Sequence, residues 1–270
     1  MVDKIWTGAE NTVFGNNDNW LDGARPENGD DCYCTADYNV DIMGQIYLYD
    51  LGSFTVESGY TGTIGTKAIY FAPTSITALD FKGSSESYIN VNASAIDVRV
   101  DGTASAITGK SGLYLLGSAI DELNVISGTV GIAARAGETA SVTTLTINGG
   151  TVNVGDGATL TNATIYSGNL VSQASITTIK NYNGGVTTEE AAAITTLNLF
   201  NGTHNHDGTG TITTANIEGG TLDLFSSGLA RTITTLNLEP GGSIVYDPDL
   251  VTITNLNITG GPISINTDNA

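Results

Sequence analysis

The stretch VTTLTINGGTVNV at residues 142–154 carries the pattern that decides the fold. Apolar residues occupy its first, fourth and sixth places and then its eleventh and thirteenth places. Alternation with Thr and Asn is typical of strands that bury one face, so the stretch predicts two short strands. Between them, Gly149 and Gly150 tolerate positive φ and let the chain turn.

The same template recurs along the second half of the chain, with starts separated by 16 to 22 residues. It reads IDELNVISGTVGI at 120–132, LTNATIYSGNLVS at 160–172, ITTIKNYNGGVTT at 176–188, ITTLNLFNGTHNH at 194–206, ITTANIEGGTLDL at 212–224, ITTLNLEPGGSIV at 233–245 and ITNLNITGGPISI at 253–265. A template with a period near twenty predicts a solenoid, because one unit cannot bury its apolar side alone.

Stacked units place each strand on its equivalent in the same direction. We therefore predict an all-β fold: a right-handed parallel β-helix with coils of about 16–22 residues. It is expected to span residues 41–270, after a capping and attachment segment at 1–40. Further strands are predicted at 44–51, 76–81, 88–91, 95–100 and 112–116. About eleven or twelve turns give a rod on the order of 55 Å long.

The charge of the chain excludes several kinds of partner. Nine Lys and Arg stand against 28 Asp and Glu, a formal charge of −19, and the cations are not clustered in sequence. Nucleic-acid binding needs clustered cations, and anionic lipid heads would repel this surface, so neither partner is expected. No stretch is long and apolar enough to span a bilayer.

The start of the chain, MVDKIWTGAENTVFG, shows no apolar run after a basic segment, so it does not read as a secretory signal. We expect the protein to stay in the compartment where it is made. The alternative is that a signal has been removed.

The two histidines of the chain, His204 and His206, occupy the eleventh and thirteenth places of their unit. We expect both imidazoles to point into the solenoid. Ser172 and Thr188 hold the thirteenth place in the two preceding units, so a buried polar ladder is predicted. The alternatives are a bulge that turns the pair outward and a transition-metal site, although no third ligand is apparent. No cofactor is expected.

Cys32 and Cys34 lie two residues apart and would face the same way on a strand. Their Cα separation would be near the upper limit for a disulfide, so an internal bridge would be strained. The open alternatives are free thiols and an intermolecular disulfide to a sister subunit or a shell protein.

The first thirty residues depart from the template and contain both tryptophans, Trp6 and Trp20. An open solenoid end exposes apolar core and unpaired strand edges, so we predict that this aromatic segment caps the first coil. Its motifs are Trp6-Thr7-Gly8, Asn19-Trp20, Gly23 with Pro26, and Gly29-Asp30-Asp31. The set resembles an opening of parallel β-helix proteins from bacterial surfaces and from the virions of tailed bacteriophages. The Cys-Tyr-Cys that follows departs from that pattern.

The lack of a secretory signal, the rigid repetitive rod, the lack of a catalytic constellation and the acidic composition favour a non-enzymatic structural protein. The resemblance adds the virus context and implies a component of a phage particle that decorates or cements the capsid surface. Such a protein would be a homotrimer that contacts the major capsid protein or another virion protein. It would be made in the host cytoplasm without a signal peptide and located on the virion. Two alternatives stay open: a secreted bacterial surface or adhesin β-helix, and a carbohydrate-active tail spike or fibre.

A catalytic site is not expected. Polysaccharide-cleaving β-helices need carboxylates that face each other across one sheet, with a cation nearby. The outward template places carry mostly Thr, Asn and Ser, and the short coils predict no loops that would wall a cleft. No two carboxylates are expected in the same column with a cation nearby. No nucleophile elbow, phosphate loop or zinc signature is present.

Overall fold

A computed structural model describes residues 2–91, 96–102, 112–261 and 264–267. The strands are β1 (Asp3–Trp6), β2 (Asp30–Cys34), β3 (Ile46–Val56), β4 (Ala72–Phe81), β5 (Ser87–Asn90), β6 (Ile96–Asp101), β7 (Leu113–Ser127), β8 (Thr129–Ile132), β9 (Ala140–Ile147), β10 (Thr151–Val154), β11 (Ala158–Ile165), β12 (Asn169–Ser172), β13 (Ile176–Asn181), β14 (Gly185–Thr188), β15 (Ile194–Leu199), β16 (Thr203–His206), β17 (Ile212–Ile217), β18 (Gly220–Asp223), β19 (Arg231–Leu238), β20 (Gly242–Val245), β21 (Val251–Ile258) and β22 (Ser264–Asn266). A 3-10 turn covers Asn17–Asn19.

The strands stack in parallel into a β-solenoid of about 11 turns, which confirms the predicted parallel β-helix. One row of strands, the first sheet, runs β1-β2-β3-β4-β6-β7-β9-β11-β13-β15-β17-β19-β21. The second sheet runs β5-β7-β8-β10-β12-β14-β16-β18-β20-β22. The long strand β7 pairs in both sheets, since its two halves follow each other without a turn.

Equivalent template places pair in register despite the unequal unit lengths. In the first sheet the fourth place runs through Leu145, Ala163, Ile179, Leu197, Ala215, Leu236 and Leu256. The differences in length fall in the corner that follows each second-sheet strand. Seven residues (133–139) fill that corner between β8 and β9, but only three (173–175) between β12 and β13. The longer loops of the solenoid therefore project from this corner.

The opposite corner is tight and depends on glycine. Gly202 has a φ of +82°, and a Cβ there would lie 2.4 Å from the carbonyl oxygen of Gly184 in the coil before. Stacked coils approach each other too closely at this corner for a side chain.

The centre of the rod is a continuous apolar core built from the inward places of both sheets. In the last coil, Leu256, Ile258 and Ile265 are exposed, because β21 and β22 have a paired strand on one side only. Ile263, an inward place of the template, lies outside the described residues. Within the described ranges, the structure has no helix capable of crossing a bilayer.

Candidate functional site

The two histidines lie inside the solenoid, as the template predicted. His204 and His206 are buried on β16, and the register places His204 between Val186 of one coil and Leu222 of the next. His206 pairs with Thr188. The alternative of an outward bulge is therefore wrong.

The hydroxyl of Thr188 forms hydrogen bonds with both imidazoles. Thr188 Oγ1 lies 3.2 Å from His204 Nε2 and 2.6 Å from His206 Nδ1. His206 Nε2 lies 2.7 Å from the carbonyl oxygen of Gly210, which can only accept, so this nitrogen carries a proton. For a neutral ring, Nδ1 then accepts from Thr188, whose oxygen in turn accepts from His204 Nε2. The result is a directed chain from His204 through Thr188 and His206 to Gly210.

Burial keeps both rings neutral. The pKa of His204 is lowered to about 3, chiefly by desolvation and to a smaller extent by the neighbouring His206. The pKa of His206 is also lowered, chiefly by burial. The Nδ1 atom of His204 is buried without a hydrogen-bond partner. Ser172 does not join the ladder as expected, because its hydroxyl donates to the carbonyl of Ala174 at 2.9 Å.

A buried arginine near His206, Arg231, was not anticipated from the sequence. Arg231 is buried, and its Nε donates to the carbonyl of Leu229 at 3.1 Å. Burial lowers the pKa of this guanidinium, whereas the carboxylates of Asp207 and Asp223 oppose that shift. Among the described residues, no group of three or more His, Cys, Asp or Glu is arranged to hold a metal ion. The histidines therefore form a buried polar link between coils.

The tryptophans anchor the start of the rod. Trp6, Phe14 and Trp20 are buried and pack together, with ring centroids 4.7 to 5.9 Å apart. Trp6 Nε1 donates to the carbonyl of Val40, and Trp20 Nε1 donates to that of Phe14, each at 2.9 Å. Phe14 also packs against Phe54 and Phe71, residues of later coils or corners. This packing fits the predicted cap.

The centre of that cap is Asn19, a fully buried amide with four hydrogen bonds. Its Oδ1 accepts from the backbone amides of Glu10 and Asn11 at 2.9 and 3.0 Å. Its Nδ2 donates to Asn11 Oδ1 and to the carbonyl of Val13 at 2.9 and 2.8 Å. A buried amide with all its polar atoms paired fixes the path of the loop.

The segment 1–40 is also part of the rod itself. β1 and β2 pair in parallel and continue into β3, so the solenoid shows no break at the predicted boundary between residues 40 and 41. Between the paired strands of the described residues 2–34, the loop that joins β1 and β2 lies outside the coil pattern. It is this loop that carries Phe14, Asn19 and Trp20.

Both cysteines point into the core from β2. Cys32 and Cys34 are free and fully buried, and burial raises the pKa of both thiols well above the ordinary value. A buried thiol with a raised pKa is a poor nucleophile. The burial favours the free-thiol alternative, and the intermolecular disulfide stays a prediction.

A cleft of about 690 Å³ opens at the corner where extra chain leaves the rod. One wall is the 65–71 segment before β4 and the other is the 133–139 segment before β9, three coils further on. A second hollow of about 430 Å³ adjoins it and shares Lys67 and Arg135. We call the two together the tyrosine cleft, since Tyr70, Tyr88 and Tyr114 line it. The expectation that no loops wall a cleft was wrong.

The walls of the tyrosine cleft touch each other. Arg135 Nη1 donates to the carbonyl of Lys67 at 2.8 Å and lies 3.3 Å from Glu138 Oε1. The hydroxyl of Tyr70 donates to the same carboxylate oxygen at 2.5 Å. These contacts join residues 68 positions apart in the chain.

The tyrosine rings form one cluster. Tyr88 stacks on Tyr114 with centroids 4.7 Å apart and meets Tyr70 edge-on at 5.5 Å. The guanidinium carbon of Arg135 lies 5.9 Å from the centroid of the Tyr88 ring. The Tyr88 hydroxyl donates to Glu86 at 2.7 Å. Burial is the main cause that raises the pKa of Tyr70 and of Tyr88, so both hydroxyls stay protonated.

A separate hollow of about 320 Å³ lies on the outer face of the first sheet, and we call it the acidic groove. Asp97 and Glu122 are paired neighbours in one outward column, and Arg99 stands in the next column. The expectation that no two carboxylates share a column beside a cation was therefore wrong. Arg99 forms two ion pairs, from Nη1 to Asp80 Oδ1 at 3.1 Å and from Nη2 to Asp101 Oδ2 at 2.8 Å.

Each surface site is formed partly by residues of the irregular first half, where the template gives no alignment. The 133–139 segment was visible as a longer spacer, since the first two units start 22 residues apart. A longer spacer marks where loops emerge. The length of the spacer does not show which other segment of the chain the 133–139 loop contacts.

The architecture defines the class of protein as a parallel β-solenoid, and the cap at its N-terminal end stays a prediction. Comparison with protein-family models, curated proteins and solved structures gives no match for this chain.

Proposed function

We propose that this chain is a non-enzymatic structural protein of a phage particle, exposed on the capsid surface as a decoration or cement component. The observation that carries the proposal is the unbroken parallel stack from β1 to β21. About 11 coils at about 4.8 Å each make a stiff post on the order of 50 Å long. Such a post suits a passive, exposed role.

Surface charge and the N-terminal motif add support. A formal charge of −19 keeps an exposed rod soluble and opposes non-specific association. The opening motif, which resembles that of β-helical virion proteins, supplies the virus context. The partner would be the major capsid protein or another virion protein, the assembly a homotrimer and the location the virion.

The proposal is tested on native particles. Virions purified from infected host cells are analysed by quantitative mass spectrometry and by cryo-electron microscopy. We expect this chain in many copies per particle, as rods on the outer shell. Finding the chain on the surface of uninfected bacterial cells instead would favour the adhesin alternative. Sedimentation of the purified protein tests the trimer, which a monomer at all concentrations would contradict.

The carbohydrate-active alternative is kept because of the acidic groove. Asp97 and Glu122 give it two neighbouring carboxylates, as sugar-cleaving sites require. The cations beside them are already paired, Arg99 with Asp80 and Asp101, and Lys82 with Asp80 at 2.7 Å. We therefore expect no release of reducing ends from host polysaccharide. Release that disappears in Asp97→Asn would establish the enzyme instead.

A further inference from the structure

We propose that the tyrosine cleft binds a short neutral oligosaccharide. This goes beyond a role in the particle, because it gives one face of the rod a ligand of its own. The volumes of the two adjoining hollows, about 690 and 430 Å³, fall in the range of small-molecule sites. Together they offer room for a few linked sugar rings.

The cleft is held in shape before any ligand arrives. Arg135 is fixed by the carbonyl of Lys67 and by Glu138, and Glu138 is fixed in turn by Tyr70. The backbone amide of Arg135 also donates to Glu138 Oε2 at 3.2 Å. Groups that are already ordered lose little conformational entropy on binding, so such a site binds more tightly than free loops would.

The lining chemistry matches a sugar. A pyranose presents C–H groups on its faces and hydroxyls around its rim, so it needs aromatic surface next to polar groups. Tyr70 and Tyr114, which are partly exposed, supply the aromatic surface, and the buried Tyr88 packs against both. Asn90, Ser118 and Thr139 supply polar side chains around the larger hollow. Within the described part of the chain, the Lys67 ammonium has no carboxylate within 4.0 Å and is available as a donor.

The charges favour a neutral ligand. The cations Lys67 and Arg135 are matched in number by the carboxylates Glu86 and Glu138. The rest of the chain is strongly acidic, so its field repels a polyanion. A polymer of uronic or sialic acids would meet this field without a surplus of cations to overcome it.

The proposal is tested with the full-length chain on an array of defined oligosaccharides. The neutral probes are malto-, cello-, chito-, manno- and galacto-oligosaccharides, and the acidic probes carry uronate or sialate. We expect binding to at least one neutral series, with an affinity that changes less than about twofold between low and high salt. If none of the probes binds, the proposal is overturned. Binding restricted to acidic probes, with strong salt dependence, overturns the assignment of a neutral ligand.

Variants locate the site by calorimetry with the strongest neutral probe. Tyr70→Ala and Arg135→Ala are expected to weaken binding at least about tenfold. Tyr70→Phe keeps the ring and is expected to retain most of the affinity. The matched control is Tyr166→Ala, which removes an exposed tyrosine from the other corner of the rod and should leave affinity unchanged.

Folding of each variant is checked by circular dichroism and thermal melting. If Arg135→Ala does not fold, Lys67→Ala serves instead, because it truncates an exposed side chain and leaves the backbone carbonyl that Arg135 uses. A weaker affinity in Lys67→Ala supports the site. Equal affinity in the wild type, Lys67→Ala and Tyr70→Ala places the sugar elsewhere and overturns the proposal.

Discussion

Thr188 Oγ1 lies 2.6 Å from His206 Nδ1, in the coil that follows it, and this contact forms the centre of a polar link inside a largely apolar rod. The same oxygen reaches His204 Nε2 at 3.2 Å. Parallel stacking makes the link possible, since equivalent places of successive coils lie side by side. One small hydroxyl thereby pairs with one nitrogen of each of two buried rings.

Thr188→Val is expected to lower the free energy of unfolding by about 2–4 kcal/mol. Valine fills nearly the same volume but leaves a donor on His204 and an acceptor on His206 without partners. The measurement is equilibrium unfolding in guanidinium chloride. Thr187→Val is the control, because Thr187 lies on the outward face of the same strand. Equal losses in the two variants would contradict the link.

Acid is expected to weaken the rod through the same histidines. Both have a folded-state pKa below the ordinary value of 6.5, and that of His204 is about 3. The contribution of His204 to stability is therefore complete above about pH 6.5 and is lost as the pH falls toward 3. His204 adds a slope of up to about 1.4 kcal/mol per pH unit in this window, and the lowered pKa of His206 acts in the same direction.

The measurement compares unfolding free energies of the wild type and His204→Leu between pH 7 and pH 4. Leucine occupies the same place in the next coil, as Leu222. Carboxylates also titrate in acid, so the readout is the difference in slope between the two proteins. We expect a shallower slope in His204→Leu, and identical slopes would mean that His204 titrates freely.

The sequence predicted the rod and the histidines for the same physical reason. A template that repeats along the chain allows each place to be compared with its equivalents. Leu222 in the next unit predicted that His204 points inward. Thr188, at the place of His206 in the preceding unit, predicted the neighbour of His206. Both inferences need only the periodicity.

The tyrosine cleft could not be predicted in this way. Tyr70 and Glu138 are 68 residues apart and lie in corner segments outside the template. Their contact depends on how far each loop leaves the rod, which loop-closing entropy and local packing decide. Asp97 and Glu122 were missed for a related reason: the register shifts beside Asp97, so counting along irregular coils does not align the pair.

Asn19→Ala is expected to loosen the N-terminal cap. The change leaves the backbone amides of Glu10 and Asn11 and the carbonyl of Val13 without their buried partner. A loss of about 2–4 kcal/mol is expected from unpaired buried polar groups. Chemical denaturation measures it, with tryptophan fluorescence as the probe because Trp6 and Trp20 lie in the cap.

The control for the cap is Asn17→Ala. Asn17 is exposed in the same loop, and its side-chain oxygen accepts one hydrogen bond, from the backbone amide of Arg25. We expect it to cost less than about 1 kcal/mol. If Asn17→Ala and Asn19→Ala were equally mild, the amide of Asn19 would not organise the loop.

The thiols of Cys32 and Cys34 are expected to resist labelling in the native protein. They are fully buried, and their raised pKa leaves almost no thiolate at neutral pH. Ellman's reagent should react only after unfolding, whereas Ala191→Cys, at an exposed position, should add one thiol that reacts at once. Covalent oligomers on a non-reducing gel would instead support the intermolecular disulfide.

Glu138→Ala is expected to release the two walls of the tyrosine cleft from each other. The carboxylate of Glu138 receives Tyr70 from one wall and Arg135 from its own wall, so its removal leaves the 65–71 segment without that anchor. Hydrogen exchange measured by mass spectrometry should then accelerate in peptides that cover 65–71, because local opening sets the exchange rate there. Exchange in β13 (Ile176–Asn181), several coils away, should stay unchanged.

Glu86→Ala is the matched control, since Glu86 contacts Tyr88 but does not bridge the walls. Faster exchange in both variants would mean that any lost carboxylate loosens this face. Unchanged exchange in Glu138→Ala would mean that the contact of Arg135 with the carbonyl of Lys67 holds the walls by itself.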